Sequence, residues 1–307
     1  MTTNEYILEL KNYLKNNLNI NILHKQINYD KNNIVIICLK ELGDVICLTS
    51  FLKILRYQEK NTNIIFICYK YTYPIIELCP YINKVIYIDE YIKDINYNTN
   101  NNELIHLLPL IENILADGFI KLAINTVWSD FNQLTNIINF LSGAKKRIAF
   151  AENDYQQYLK DKNFTNYKEE NTNYLTDILH TPFNIIHTID RYMYILEYIY
   201  NKKFNENLEL WINKNDHINI NKNKINICIG LGASSNSKKY PIQKWINVLT
   251  SIYKQNNNIH FYLLGGKNDE LSEQVINKLS FCTNYINKLT IRQNISIISQ
   301  CNLYIGK

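Results

Sequence analysis

Residues Asn226–Trp245 read NICIGLGASSNSKKYPIQKW. The apolar run Ile227–Ile229 is typical of a buried strand, and glycines and serines follow it directly. Pro241 then opens an amphipathic segment, and proline suits the first position of a helix because an N–H group has no partner there. The stretch therefore predicts a strand, a Gly/Ser loop and a helix, the repeating unit of an open α/β sheet.

Two lysines, Lys238 and Lys239, stand just ahead of this predicted helix. A helix N-terminus carries a partial positive charge, so a cation there is unfavourable by roughly 0.3–1 kcal/mol unless an anion binds beside it. With the hydroxyl groups of Ser234 and Ser235 and the free N–H groups of the helix, Lys238 would form a phosphate-binding loop. From the loop alone, a solvated turn with both lysines in water is the alternative.

The composition limits the classes of protein to consider. The chain has 307 residues, 46% of them hydrophobic, which is enough for two domains that each bury a core. Its net charge of +5 suits a phosphorylated substrate or an anionic membrane surface, and without a lysine and arginine block it does not predict nucleic-acid binding. Seven cysteines lie scattered without metal-ligand spacing, so we expect no metal site and a reducing, cytoplasmic location. We expect no signal peptide, because the N-terminal residues lack a basic region followed by an apolar core, and no apolar run in the sequence approaches the length of a membrane span.

Short apolar strands alternate with amphipathic helices along the whole chain, which is typical of parallel sheets covered by helices. The predicted strands lie at 34–39, 64–69, 85–88, 119–124, 147–150, 225–229, 260–264, 284–286 and 302–305. The predicted helices lie at 5–18, 45–57, 74–79, 103–116, 132–141, 185–200, 241–253, 268–279 and 291–300.

This pattern predicts an α/β fold with two Rossmann-like domains whose parallel sheets face a cleft. We expect an N-terminal domain over 1–200, which includes an irregular insertion at 151–181. A linker over 201–224 would lead to a C-terminal domain over 225–307. The last predicted strand ends where a further ligand-binding loop should start, so we expect the second domain to be incomplete.

Gly43 and Asp44 follow the first predicted strand. By one hypothesis Asp44 caps the next helix by accepting hydrogen bonds from its free N–H groups, and Gly43 supplies the turn. By the other, the Asp44 carboxylate lies at the carboxyl end of the strand, faces the cleft and acts as a general base. The local sequence leaves both hypotheses open.

An ordered set of segments resembles the heptosyltransferases, the family-9 glycosyltransferases. Segment 34–55, IVIICLKELGDVICLTSFLKIL, is similar to the family's first strand, its Leu-Gly-Asp turn and the helix that follows. Each segment is weak evidence, but their order along most of the chain is specific, and only 151–181 resembles the family poorly. The other segments are LCPYINKVI at 78–86, FLSGAKKRIAF at 140–150, HTIDRYMYIL at 187–196, KKYP at 238–241, LLGGKNDE at 263–270 and the final strand at 302–306.

The resemblance implies a GT-B fold and an inverting, metal-independent transfer of a heptose or related sugar, without a cofactor. The expected partners are a nucleotide diphosphate sugar, ADP-heptose above all, and a lipid-linked glycan such as the lipopolysaccharide core, met at the cytoplasmic face of the inner membrane. Asp44 would be the catalytic base, because one carboxylate suffices for inversion. Gly43 would contact substrate. Ser234, Ser235 and Lys238 would stabilise the departing diphosphate.

A glycine pair and an acidic residue complete the expected site. Gly265 and Gly266 follow a predicted strand and let a ligand approach the backbone closely. Glu270 or Asp269 would then bind the ribose hydroxyls of the donor. Alternatively, both acids are first-turn helix residues that the helix dipole stabilises.

The sequence also departs from the family in two places. The Asp-Thr-Gly motif expected after the last strand does not occur, and segment 125–132, NTVWSDFN, has no arginine where relatives carry a basic residue. A second hypothesis is therefore a non-catalytic sugar-nucleotide-binding or assembly protein, derived from such an enzyme by truncation. A nucleotide-dependent oxidoreductase is not favoured, because the first strand–helix turn lacks G-x-G-x-x-G.

Overall fold

The computed structural model describes residues 32–92, 107–128, 132–151, 174–181, 185, 187–232, 238, 240–267 and 279–306. The helix predicted at 5–18 lies outside these residues, and so does nearly all of the helix predicted at 268–279. The chain divides into two compact units, Met1–Glu209 and Leu210–Lys307, and each has its own sheet.

The sheet of the first unit has six parallel strands in the order β3-β2-β1-β4-β5-β6. In this doubly wound order the chain proceeds outward from β1 in one direction and from β4 in the other, so the loops after these two strands diverge. The predicted α/β class with parallel sheets is confirmed. The strands are β1 (Asn32–Cys38), β2 (Asn63–Cys68), β3 (Lys84–Tyr87), β4 (Phe119–Asn125), β5 (Lys146–Phe150) and β6 (Asp177–Leu179).

Strand β1 lies in the middle of this sheet and forms the centre of the core. It reads NNIVIIC, and every residue after the first is buried. A continuous apolar run, without polar alternation, is expected of a parallel strand that helices cover on both faces. Its neighbour β2 reads NIIFIC and ends level with it, because Cys38 lies opposite Cys68.

Two short helices replace the single helix predicted at 45–57. The Leu-Gly-Asp segment, expected to be a turn, is also helical, because the first helix already begins at Leu42. Leu48 separates the two helices, and the Thr49 hydroxyl donates to the Ile46 carbonyl oxygen at 2.8 Å across the break. The helices of this unit are α1 (Leu42–Cys47), α2 (Thr49–Gln58), α3 (Tyr73–Ile76), α4 (Leu108–Leu115), α5 (Asn132–Leu141) and α6 (Thr188–Tyr200).

The segment predicted as an irregular insertion, 151–181, contains the sixth strand of the sheet. Strand β6 pairs with β5 in parallel, with Ile178 opposite Ala149. The Ala151 N–H donates to the Leu179 carbonyl oxygen at 2.9 Å, which extends the pairing by one residue. The expectation of irregular structure is therefore wrong for the end of the segment, while 152–173 lie outside the described residues.

The second unit has four parallel strands in the order β10-β7-β8-β9. Taken from the other edge, β9-β8-β7-β10 repeats the order β3-β2-β1-β4 of the first unit, so both units share one half of a doubly wound sheet. The strands are β7 (Ile225–Gly230), β8 (Ile259–Leu264), β9 (Cys282–Asn284) and β10 (Leu303–Ile305), and the helices are α7 (Ile242–Gln255) and α8 (Ile291–Gln300).

The chain leaves the first unit along helix α2. The Glu209 carboxylate accepts hydrogen bonds from Lys53 Nζ at 2.5 Å and from the Tyr81 hydroxyl at 2.8 Å. The Glu209 N–H donates to the Thr49 hydroxyl oxygen at 3.1 Å, and Glu206 forms a second ion pair with Lys53 at 3.2 Å. These contacts attach the start of the predicted linker to the first unit.

Candidate active site

A cavity of about 230 Å³ lies at the carboxyl edge of the first sheet. Ligands of doubly wound sheets bind where the strand order reverses, which in this unit is between β1 and β4. The cavity is formed at this place by residues that follow β1 and β4, by the end of β5 and by α6. Its lining residues are Lys40, Asp44, Thr126, Trp128, Phe150, Thr188, Arg191 and Tyr192.

Asp44 is the third residue of α1, and its half-buried side chain lines the cavity. The N-cap position of this helix is Glu41, and no side chain makes a capping hydrogen bond there. The hypothesis that Asp44 is the N-cap residue is therefore wrong. The first turn of α1, directly after β1, instead holds the Asp44 carboxylate against the cavity.

A buried hydrogen-bond network fixes the loop after β4 that supplies the opposite wall. The Asn125 side-chain amide donates to the Thr135 hydroxyl and to the Asn136 side-chain oxygen, both at 2.8 Å. The Asn125 side-chain oxygen accepts from the Val127 N–H at 2.9 Å, and the Thr126 hydroxyl donates to the Ile37 carbonyl oxygen at 2.9 Å. Because these buried groups are paired with each other, the loop has one defined conformation.

Arg191 brings a positive charge to the cavity from helix α6. Its guanidinium carbon lies 4.2 Å from the centre of the Trp128 ring, and Nη2 donates to the Thr188 hydroxyl at 3.1 Å. A guanidinium stacked on an aromatic face keeps its planar set of donors in a fixed direction. Segment 125–132 has no arginine of its own. Arg191 of α6, in the HTIDRYMYIL segment at 187–196, lies beside Trp128 of that segment.

Arg191 is not among the site residues predicted from the sequence, although it lies in the HTIDRYMYIL segment at 187–196. The spacing does indicate a shared helix face. Arg191 and Tyr192 follow Thr188 by three and four residues, so one face of a helix carries all three. The sequence does not show that Arg191 contacts Trp128, because the two residues lie far apart along the chain.

The phenol and thiol groups near Asp44 remain neutral. Burial, followed by electrostatic interaction with Cys38 and Asp44, raises the pKa of Tyr192 well above its usual value. Burial and the nearby Asp44 charge raise the pKa of the Cys47 thiol, and burial raises that of Cys38 to about 12. Tyr192 can therefore donate a hydrogen bond in the cavity, whereas neither thiol is a reactive thiolate.

Gly43 lies in α1 next to Asp44, and a β-carbon placed on it would meet no atom within 4 Å. Alanine is favoured over glycine inside a helix by about 0.8–1 kcal/mol, so Gly43→Ala should raise the free energy of unfolding. If Gly43 contacts substrate, as expected from the sequence, the added methyl group should also reduce the transfer rate. Thermal unfolding and a transfer assay on the same preparation measure the two effects.

Gly143 offers a matched control, because a β-carbon there also meets nothing within 4 Å but its φ is +67°. Gly143→Ala should destabilise the protein through backbone strain. A Gly43→Ala protein that is more stable and transfers sugar at the normal rate would remove Gly43 from the site.

In the second unit the strand order reverses between β7 and β10, and the Gly/Ser loop follows β7 at that place. Lys238 is described and exposed, just ahead of α7. Ser234, Ser235 and Glu270, the other residues expected to bind the donor, lie outside the described residues.

Gly265 and Gly266 follow β8 directly and lie beside the start of the Gly/Ser loop. The Leu231 N–H donates to the Leu264 carbonyl oxygen at 2.9 Å, so the two loops leave the sheet side by side. The Gly265 carbonyl oxygen accepts from the Asn287 N–H at 3.0 Å, while Gly266 is exposed. A ligand at this edge of the sheet would meet both loops.

Three further observations concern the described residues. No three His, Cys, Asp or Glu side chains among them come together in a way that would hold a metal ion. No helix within the described ranges has the length and apolar character needed to cross a bilayer. All seven cysteines are described, and each is a free thiol.

Residues 171–307 match the family model for glycosyltransferase family 9 (heptosyltransferase). This part of the chain is therefore similar to family-9 glycosyltransferases. The match includes Arg191 of the cavity, the Gly/Ser loop and the glycine pair after β8. The heptosyltransferase resemblance inferred from the sequence is thereby confirmed. A search of curated protein sequences gives no match.

Solved structures show that the heptosyltransferase-like fold extends over most of the chain. A family-9 glycosyltransferase from Veillonella parvula is 18% identical over 89% of this chain and 74% of its own, with a TM-score of 0.69. The heptosyltransferase WaaC of E. coli with ADP is 11% identical over 89% and 81%, with a TM-score of 0.66. The E. coli ADP-heptose LPS heptosyltransferase II is 13% identical over 89% and 78%, with a TM-score of 0.62. At these identities the likeness establishes the fold.

Proposed function

We propose that this heptosyltransferase-like chain moves a heptose or related sugar, with inversion, from a nucleotide diphosphate sugar to a glycan acceptor. The observation that carries the proposal is the Asp44 carboxylate in a cavity where the strand order of the first unit reverses. The expected donor is ADP-heptose, because structures of similar fold hold ADP and ADP-2-deoxy-2-fluoro heptose. The expected acceptor is the lipopolysaccharide core or a related lipid-linked glycan.

In the proposed reaction Asp44 is the general base. An acceptor hydroxyl attacks the anomeric carbon from the face opposite the diphosphate, and its proton passes to the Asp44 carboxylate. The new bond joins the acceptor oxygen to the anomeric carbon, while the bond from that carbon to the diphosphate oxygen breaks. The diphosphate leaves with the electron pair, so negative charge develops on it and must be stabilised.

Arg191 and Lys40 are proposed to orient the acceptor in the same cavity. Both line it together with Asp44, and the Arg191 guanidinium is already held by Trp128 and Thr188. Charge-assisted hydrogen bonds from a fixed guanidinium are strong and directional. They would place the accepting hydroxyl against the Asp44 carboxylate before the sugar is transferred.

The second unit is proposed to bind the donor. Lys238, Ser234, Ser235 and the N-terminus of α7 would stabilise the diphosphate, since free N–H groups at a helix start attract anions. Gly265 and Gly266 would let the nucleotide approach the backbone after β8. Glu270 is proposed to bind the ribose hydroxyls, as acidic residues do after equivalent strands.

Lys238→Ala should weaken donor binding about tenfold, because an exposed charge-assisted contact to diphosphate is worth roughly 1.5 kcal/mol. Calorimetric titration with adenosine, guanosine and uridine diphosphate sugars first identifies the donor and then measures its dissociation constant for both proteins.

Lys244→Ala is the matched control, since Lys244 is an equally exposed lysine one turn further along, in α7. It should leave donor affinity unchanged. Equal affinity of native and Lys238→Ala protein would remove the phosphate assignment. Donor binding by a native protein that never transfers sugar would favour a non-catalytic sugar-nucleotide-binding protein.

A cytoplasmic location follows from the proposed substrates. Activated sugars are made in the cytoplasm, and a lipid-linked acceptor would bring the chain to the inner face of the membrane. The net charge of +5 favours such a peripheral contact with anionic lipids.

A further inference from the structure

The loop after β2 lies next to the loop that leads to Asp44. Cys38 and Cys68 are opposite each other at the ends of β1 and β2. Residues 39–41 and 69–71 therefore leave the same edge of the sheet as neighbouring segments. Lys40 of the first segment lines the cavity, so the second segment lies beside a cavity-lining segment.

Hydrogen bonds hold this second segment in a tight 3-10 turn, Lys70–Thr72. The Lys70 N–H donates to the Asp89 carboxylate at 2.6 Å. The Thr72 N–H and hydroxyl both donate to the Tyr69 carbonyl oxygen, at 3.1 and 2.8 Å. The turn thus has a fixed backbone at both ends.

Tyr71 stands on this turn with one face of its ring open to solvent. Its side chain is 45% exposed, although its inner face stacks on the Tyr69 ring with centres 5.6 Å apart and planes within 18°. Its hydroxyl lies near the carboxylate of Glu41, the N-cap residue of the helix that carries Asp44. Burial and this contact raise the pKa of Tyr71 above its usual value, so the hydroxyl remains the donor.

An exposed aromatic ring that is stacked on a neighbouring ring has less rotational freedom left to lose. Binding to such a ring avoids most of the ordering cost that a mobile side chain would incur. A pyranose ring offers a matching surface, since its C–H groups form an apolar face and its hydroxyl groups point outward. A single ring beside a polar cavity fits one sugar and is too small for a stable protein contact.

We propose that the open face of Tyr71 binds a sugar of the acceptor glycan, the neighbour of the sugar whose hydroxyl meets Asp44. This inference rests on the proposed function, because it assigns the cavity to the acceptor. Acceptors of two or more sugar residues are then bound more tightly than single sugars. Tyr71 is a specificity-determining residue that does not take part in the chemistry.

The test compares methyl heptoside with the corresponding methyl heptobioside as acceptors. Tyr71→Ala should raise KM for the disaccharide about tenfold, which is a loss near 1.4 kcal/mol. It should leave kcat and the KM for the monosaccharide unchanged. Tyr71→Phe keeps the ring and should stay within about threefold of the native protein, so recovery by phenylalanine separates ring contact from loss of folding.

Tyr57→Ala is the matched control. Tyr57 is 54% exposed and contacts another tyrosine, Tyr81, but lies in the last turn of α2, which leads back to the opposite edge of the sheet. It should leave both acceptor KM values unchanged. Equal KM values for native and Tyr71→Ala protein, or equal losses with both acceptors, would overturn the proposal.

Saturation-transfer NMR with the two glycosides separates this proposal from the proposed function. Tyr71→Ala should reduce the disaccharide signal and leave the monosaccharide signal unchanged, whether or not sugar is transferred. If Tyr71→Ala has this effect but the native protein releases no diphosphate from the donor, the proposed transferase activity is disproved and the proposed sugar contact remains. Failure of the disaccharide to bind the native protein would disprove the sugar contact.

Discussion

Asp44→Asn should lower the rate of sugar transfer about 10³-fold while leaving donor affinity and folding almost intact. A positioned general base contributes typically 10²–10⁴-fold, and the amide cannot accept the hydroxyl proton. Asp44 does not cap α1, so the change removes only its interaction with the helix dipole, worth about 0.3–1 kcal/mol. Steady-state transfer rates, donor calorimetry and thermal unfolding on one preparation measure the three quantities.

Asp190→Asn is the control for this experiment. Asp190 is likewise an acidic residue in the first turn of a helix, α6, but it is exposed and is not among the cavity-lining residues. It should cost a similar, small amount of stability and leave transfer unchanged. Loss of folding in Asp44→Asn, with an unaffected rate for the folded fraction, would make Asp44 a structural residue.

Arg191→Ala should reduce kcat/KM for the acceptor about 30- to 100-fold. A hydrogen bond from a charged group contributes about 1.5–3 kcal/mol, and the Arg191 guanidinium is oriented before the acceptor arrives. Arg191→Lys keeps the charge but loses the planar donors that stack on Trp128, so it should recover only part of the loss. Donor affinity, measured by calorimetry, should not change, because the donor is assigned to the second unit.

Arg147 gives a matched control, because its guanidinium also lies over an aromatic ring, Phe140, at 5.6 Å. It donates to the main-chain carbonyl oxygens of Tyr174 and Ala144, which is a structural role. Arg147→Ala should lower stability and leave the acceptor KM unchanged. If Arg191→Ala behaves in the same way, Arg191 only packs against Trp128.

The positions of most strands follow from the sequence because a parallel strand covered on both faces is one continuous apolar run. Strands β1 and β2 contain such runs, while β4 is interrupted by Lys121, and the sequence predicts each of the three within two residues of its bounds. Strand β6 was missed because Asp177–Leu179 is too short to show a pattern and depends on pairing with β5. The break at Leu48 was missed because the apolar spacing of a helix continues through it.

The candidate site likewise contains one residue that the sequence predicts, Asp44, and one that it does not, Arg191. Asp44 was found because the resemblance marks a carboxylate after the first strand, and strand order alone places that residue where ligands bind. Arg191 was not found, because its relevance depends on Trp128, which only the folded chain brings beside it. Local sequence thus predicts a residue on its own element, whereas a pair from two distant elements requires tertiary structure.

The shared strand order of the two sheets has a consequence for engineering. Since β9-β8-β7-β10 repeats β3-β2-β1-β4, the two units share an arrangement of four strands and display different residues at the carboxyl edge of it. The first unit has a carboxylate, Asp44, after β1, and the second has a lysine, Lys238, after β7. Transplanting the short segments that follow β2 and β4 from another such chain should therefore redirect the choice of acceptor without altering which nucleotide is used.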